Sequence, residues 1–382
     1  MSRHAFAPEP LDQTASQSQR QALLPLPSQL SGTDGHPMTS TQQQQPFANW
    51  STQKLNPIIT QFSDPELDRE RSGASILEEG SIVGESGRTY HGYKEGLTSY
   101  LLPNDGAEQD RLDFQHAMMA HLWDGRLSLA PLPKAPKLVL DVATGTGIWA
   151  LEFARANPTS FVVGTDLSQI QPVPDVPNCL FEKFDCEEDW MYSYKFDYIH
   201  IRMIVTAIRD PKRLLQQAFQ YLNPGGWIEL QDADMDLLSE DGPERDDRVE
   251  GSYLKRWFNQ NAIGAAAHGI DLHKAKNYGD WLIGIGYVVE EKFKVACAPW
   301  PKDLKAKLVG TWMRVNYLSG LRGVGYKMLR GAGMAPGEID RFIKATRDEV
   351  TNGNIRGYTP WYSVYGRKPY PWEARPSASG SL

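Results

Sequence analysis

The chain has 382 residues, a net charge of −7 and a pI near 5.7, which allows one large or two small domains with a substantial core and gives no basic footprint for nucleic acid. Its three cysteines, Cys179, Cys186 and Cys297, are too few and too scattered for a disulfide framework or a zinc site, which points to a reducing compartment. No apolar run is long enough for a bilayer and the N-terminus has no signal-like hydrophobic stretch, so the expectation is a soluble, cytoplasmic protein without a membrane partner.

Residues 1–75 are rich in Ser, Gln, Pro and Thr, include the run Gln42-Gln43-Gln44-Gln45-Pro46, and lack periodic apolar positions. Such a composition cannot offset the entropy of ordering, and it predicts a disordered tail able to meet protein partners. Residues 76–130 read as a helical lead-in segment. It carries Gly87-Arg88-Thr89-Tyr90-His91-Gly92-Tyr93, then a helix from Glu108 to Leu122 in which His116 is expected to be a packed or exposed helix residue and Met118 and Met119 core filler.

From residue 131 to 235 strands and helices alternate, the beat of a parallel sheet. Leu138 to Val142 suits a strand covered on both faces, Gly145 and Gly147 permit positive φ and close approach of a ligand, and a helix follows from Trp149 to Ala156. Strand two, Phe161 to Asp166, and strand three, Cys179 to Phe184, each close on an acid. Strand four is Phe196 to Arg202, a helix spans Pro211 to Leu222, and strand five is Trp227 to Gln231. Residues 236–286 then read as a helical cap with helices over Val249–Ala267 and Asp271–Ile283. Residues 287–370 read as the remaining strands, Tyr287 to Ala296 and a last one from Trp361, interrupted by helices over Lys302–Leu318 and Pro336–Asn352. Residues 371–382 read as a flexible C-terminal tail.

Ligands of doubly wound sheets sit outside the carboxyl ends of the strands, and here three of those ends deliver an acid. Gly145-x-Gly147-x-x-Ala150 also fits the dinucleotide fingerprint, which keeps a nicotinamide oxidoreductase open. Asp141 argues against it: an acid there would face pyrophosphate anions, whereas S-adenosyl-L-methionine brings an ammonium and a sulfonium that it stabilises. On that reading Asp141 serves the cationic methionine end, Asp166 the ribose hydroxyls, and Asp185 with the Cys186 backbone the adenine amino group. Ala143, Thr144, Leu167 and Arg202 beside the strand ends complete the expected cofactor set, with Tyr90 lying against the methionine end. A general base is optional, because a sulfonium already activates its methyl group; the candidates are His200, Asp232, the neighbouring Asp234, and His268. Trp257 and Phe258 are candidates for an acceptor pocket or for plain core. His268 and His273 lack a third ligand at metal spacing, so no metal is expected.

In Leu140-Asp141-Val142-Ala143-Thr144-Gly145-Thr146-Gly147-Ile148-Trp149-Ala150, Gly164-Thr165-Asp166-Leu167-Ser168, Glu108-Gln109-Asp110-Arg111-Leu112-Asp113, Phe196 to Arg202 and Leu222 to Glu229, the chain resembles the class I S-adenosylmethionine-dependent methyltransferases, and within them the fungal LaeA-like group. The resemblance spans roughly Gly87 to Pro369. It implies a Rossmann-like α/β fold with a seven-stranded sheet, mostly parallel with the last strand antiparallel. It also implies a methyl donor, a fungal origin, and either an enzyme acting on a small secondary metabolite or a nuclear regulator of secondary metabolism working through protein partners. Ala143 stands where the family usually has glycine, and a methyl is accommodated there if its φ is negative. A chain beginning near Ser75 should keep cooperative unfolding and cofactor affinity, as checked by thermal melting and calorimetry on the truncated protein.

Overall fold

The apolar runs and helical stretches fold, in a computed structural model, around one central sheet. The structure describes residues 81–93, 100–132, 135–240, 247–287, 289–352 and 355–373. The chain divides into a unit of residues 1–44, which is outside the described residues, and a unit of residues 45–382, to which everything below belongs. The tail expected over residues 1–75 and residues 374–382 of the C-terminal tail likewise lie outside the described residues.

A short hairpin, β1 (Ile82–Val83) and β2 (Thr89–Tyr90), precedes helix α1 (Gly106–Leu122). Asp105 joins the two. Its carboxylate takes both Nε and Nη2 of Arg88 at 2.5 Å and caps α1 by accepting from the Glu108 amide at 3.1 Å. An acid at the N-cap also meets the positive end of the helix dipole, so one side chain fixes where the helix starts and where the hairpin lies.

The alternating region then supplies β3 (Leu138–Val142), α2 (Ile148–Ala156), β4 (Phe161–Asp166), β5 (Cys179–Lys183), β6 (Phe196–Arg202), α3 (Pro211–Tyr221) and β7 (Leu222–Ala233). After them come β8 (Leu238–Ser239), α4 (Asp247–Glu250), α5 (Tyr253–Ala267), α6 (Tyr278–Ile285), β9 (Val289–Ala296), α7 (Leu304–Gly331), α8 (Pro336–Asn352) and β10 (Gly357–Arg367). The strand order is β5-β4-β3-β6-β7-β10, with β8 and β9 both bonded to β10. Strands β3 to β7 run parallel and β10 runs antiparallel to β7, the Rossmann-like class I methyltransferase arrangement. Side chains of β3 divide by parity, as a two-residue period requires: Leu138, Leu140 and Val142 join one hydrophobic cluster with α3 and α6, and Val139 joins the other with α1, α2, α5 and α7.

Among the described residues the sheet has eight strands instead of the expected seven, because the two-residue β8 also pairs with β10, and several elements differ in extent from the sequence expectation. Strand β7 begins at Leu222, because backbone pairing resumes directly after α3. The expected helix over Asp271–Ile283 divides into a 3-10 turn, Lys274–Asn277, and the shorter α6. Helix α7 runs to Gly331 instead of ending at Leu318. Gly320, Gly323 and Gly325 lie in the added stretch; all three are buried, and each admits a neighbour that a side chain would crowd: a Cβ at Gly323 would stand 2.7 Å from Arg88 Nη1, and one at Gly325 2.8 Å from Trp257 Nε1. Tertiary burial outweighs the roughly 1 kcal/mol helix penalty of each glycine.

The same close approach recurs where α5 meets α7. A Cβ on Gly264 would lie 1.6 Å from the Met328 carbonyl oxygen, a backbone atom that cannot swing aside. Gly264→Ala should therefore lower stability by about 3 kcal/mol, the upper range for overpacking, read as a shift in the denaturant midpoint.

Candidate active site

Strand β3 ends at the glycine loop, and the loop is shaped by two carboxylates. Asp141, 3% exposed, accepts from Thr144 Oγ1 at 2.5 Å through one oxygen and faces His200 Nδ1 at 2.7 Å through the other. The His200 ring lies flat on Trp149, centroids 3.7 Å apart and planes 6° from parallel, while its Nε2 faces Gln231 Oε1 at 3.3 Å. On β4, Asp166 accepts from the Gly145 amide at 2.8 Å and the Ser168 amide at 2.9 Å, which pins the loop across the ends of β3 and β4. Gly145 and Gly147 adopt φ of +60° and +79°. At Gly147 a Cβ would strike the Phe181 ring at 2.4 Å, so glycine serves packing as well as conformation there.

Two adjoining cavities open above the strand ends. The larger holds about 1210 Å³ of free space, part of it continuous with solvent, and the smaller about 480 Å³. Tyr100, Ala143, Asp166 and Ala207 line both, so they form the passage between them. The smaller is bounded by Leu167, Phe184, Asp185 and Cys186 from the ends of β4 and β5. The larger begins at Asp141, Thr144, Gly145 and Arg202 and extends under α1, α5 and α7 to β10.

The structure thus gathers Asp141, Ala143, Thr144, Gly145, Asp166, Leu167, Asp185, Cys186 and Arg202 around these two cavities. Gly147 stands behind them as the N-cap of α2. Tyr90 is a correction: its ring is 1% exposed, sits 3.4 Å beneath Lys327 Nζ, bonds Ser86 through its hydroxyl, and lines neither cavity. Tyr100, by contrast, lines both cavities. Burial and the nearby Asp166 carboxylate raise the Tyr100 pKa, which keeps the hydroxyl neutral.

The four candidate bases also lie outside the lining of both cavities. His200 is fully buried beneath Asp141 and lines neither cavity, so it orients that carboxylate instead of meeting an acceptor. Asp232 on β7 and Asp234 just beyond it line neither cavity, whereas Ala233 and Met235, which alternate with them, line the larger one. Asp232 instead accepts from Tyr278 at 3.0 Å, with burial pushing its pKa up to about 7, and Asp234 faces His273 at 2.7 Å. A one-residue parity decides this outcome. His268 is the exposed C-cap of α5, close to Gly331 and outside the cavity. Among the described residues no group of His, Cys, Asp and Glu could hold a metal ion.

Some lining residues escaped the sequence reading. His116 faces the cavity, with Nδ1 taking an Arg202 N–H at 2.9 Å and Nε2 facing Glu152 at 2.9 Å; burial first, then the Arg202 charge, lowers its pKa. Helix α7 contributes Met313, Asn316, Tyr317, Gly320 and Val324, a stripe at helical spacing. That signal lay in the sequence but was cut by ending the helix at Leu318. Trp257 is both pocket and core: it lines the cavity and is 2% exposed.

A parallel sheet whose first strand ends in an acid and a glycine loop, whose second ends in an acid beneath the passage between two cavities, and whose last strand is antiparallel defines the class of S-adenosylmethionine-dependent methyltransferases. Residues 114–292 match a family model described as a methyltransferase domain. The chain is 34% identical over 320 residues to methyltransferase pytC of Aspergillus terreus, covering 82% of this chain and 97% of the relative. It is 31% identical to the probable methyltransferase tdiE of Emericella nidulans, over 69% of this chain and 82% of the relative. It is also 31% identical to the secondary metabolism regulator laeA of Aspergillus flavus, over 75% of this chain and 77% of the relative. The chain belongs to this fungal, LaeA-like methyltransferase family.

Two predictions follow from the site's geometry. Ala143 adopts φ of +55°, so the negative φ that would accommodate its methyl without strain is not met, and this left-handed conformation costs an L-residue roughly 1–2 kcal/mol. Ala143→Gly relieves that cost and adds less unfolded-state entropy than it removes strain, so it should raise stability by about 0.5 kcal/mol, read by chemical denaturation. For His116, a lowered folded-state pKa means that the unfolded chain binds the proton more readily; its contribution to stability falls as pH drops below the ordinary histidine value near 6.5. His116→Gln should flatten the stability profile between about pH 7 and 5.

Proposed function

We propose that the chain transfers the methyl group of S-adenosylmethionine to a small-molecule acceptor of the secondary-metabolite kind. The observation that carries this reading is the pair of cavities meeting at Asp166, one bounded by strand-end acids and backbone, the other by mostly apolar side chains. The donor set suits the cofactor. Asp166, oriented by two backbone amides, is placed to accept from ribose hydroxyls; Asp141, a buried acid held by Thr144 and His200, suits an ammonium; and Asp185 with Cys186 bounds a compartment for adenine.

When bound, the cofactor would supply a methyl group already activated by its sulfonium and would leave as S-adenosylhomocysteine. The protein's own contribution is alignment and exclusion of water. Met203, Ile204, Trp257 and Trp361 wall the acceptor side with apolar surface, and Tyr100 closes the passage between compartments. Met203 is, with Ala143, a cavity residue of positive φ, held by its amide bonding the Gln231 carbonyl at 3.0 Å. The backbone is therefore strained at two points that face the ligands.

A second reading, in which the chain works through protein partners and in the nucleus, is supported by the relatives named as regulators, and would place partner contacts on residues 1–75. Labelled methyl donor recovered in an extractable small molecule supports the first reading, in the cytoplasm; label recovered only in protein, or none, supports the second. For the cofactor itself, Asp166→Ala should weaken binding at least about tenfold, the scale of losing hydrogen bonds to a charged group. An unchanged dissociation constant for the folded variant, by calorimetry with S-adenosylhomocysteine, would remove Asp166 from the cofactor site.

A further inference from the structure

The far end of the large cavity contains a polar feature that the cofactor set leaves unused. Tyr317 on α7 and Thr359 on β10 both line it, and their hydroxyls lie 2.9 Å apart. Behind them, Cys297 donates from Sγ to Tyr317 at 3.5 Å and stands 3.2 Å from Thr359 Oγ1. All three are buried, Thr359 and Cys297 to 1% exposure.

The three groups close a ring. Each has one proton to give, and three contacts join them, so a consistent circuit spends every S–H and O–H inside the ring and leaves each oxygen one accepting lone pair. Burying hydroxyls is costly unless they are paired, which the ring achieves. What it then presents to the cavity is acceptor capacity beside the apolar Trp257, Met313, Val324 and Trp361, while the neighbouring Asn316 is taken by Arg111.

Sheet order says which ligand can reach it. Asp141 lies on β3 and Thr359 on β10, three strand positions away through β6 and β7, at least about 14 Å at the usual strand spacing. The cofactor compartments run the other way, toward β4 and β5.

We propose that Tyr317 and Thr359 form a distal specificity subsite for the methyl acceptor, which takes a hydrogen-bond donor, an O–H or N–H, at the far end of an elongated and largely apolar molecule. This rests on the methyl-transfer reading and goes further, because it specifies the acceptor's length and the group remote from the methylated atom. The subsite discriminates through the familiar asymmetry of buried polar groups: a ligand lacking the donor desolvates the two oxygens without replacing water's bonds.

The test uses the full chain loaded with S-adenosylhomocysteine and two probes of equal body, 4-hydroxybiphenyl and 4-methoxybiphenyl, the second lacking the donor. Equilibrium dialysis should show the phenol bound about tenfold tighter than the ether. Thr359→Val, which keeps the side-chain volume, and Tyr317→Phe should each bring that preference below about twofold while leaving S-adenosylhomocysteine affinity unchanged. Equal binding of the two probes by the unaltered protein, or a preference that survives both substitutions, overturns the subsite. Weakened S-adenosylhomocysteine binding in Thr359→Val overturns it in favour of a cofactor role. If the unaltered protein binds no S-adenosylhomocysteine, the methyl-transfer reading fails first and the subsite with it, so the two failures are told apart by the cofactor measurement.

Discussion

The site hangs on the burial of Asp141. A carboxylate out of water is costly unless its oxygens are occupied, and here one is taken by Thr144 from the loop while the other faces His200 from the neighbouring strand. His200 is in turn clamped between the Trp149 ring on α2 and Gln231 on β7. One acid therefore ties together β3, β6, β7 and the first helix after the loop. Removing any member leaves a charge or a ring nitrogen without its partner, so the loop cannot relax from the conformation in which Ala143 is held at positive φ.

From that anchor the sheet divides the work laterally. Toward β4 and β5 the strand ends carry Asp166 and Asp185, with backbone amides turned onto Asp166, an environment for a polar ligand with hydrogen-bond donors. Toward β7 and β10 the lining becomes Ala233, Met235, Trp361 and the α7 stripe, an environment for apolar surface. The same parallel geometry that places ligands at carboxyl ends thus supports two unlike compartments, because the residue type at each strand end changes across the sheet.

The cover is helical and depends on small residues. Helix α7 passes close over α1 and α5 because Gly320, Gly325 and Gly264 remove the side chains that would hold the helices apart, and Gly323 makes room for Arg88. Arg111 reaches from α1 to Asn316 on α7 at 2.9 Å while forming a paired contact with Glu108, so the lid's polar seam is satisfied inside the protein. A second buried carboxylate, Glu229, accepts from Leu129 and Ala130 amides and from Tyr198, and secures the segment that leads into β3. Closing a cavity over strand ends in this way keeps water from the reacting centre.

The sequence by itself determined the strands from Leu138 to Arg202, the glycine loop and the acids at the ends of β3, β4 and β5, because short apolar runs, glycine conformational freedom and strand-end charge are local properties. Strands β4 and β6 coincide with their apolar runs residue for residue. Tertiary structure alone decided which polar residues reach the cavity. Asp232 and Ala233 are adjacent in sequence and point to opposite faces, and His116, read as a packing residue, faces the cavity while His200, read as a possible base, lies beneath it. It placed Tyr100 and not Tyr90 in the cavity lining, since the path of the lead-in segment is set by the Arg88 and Asp105 ion pair with its helix cap. It also decided the length of α7, where burial against two other helices outweighs the intrinsic cost of glycine, a balance that no window of the sequence contains.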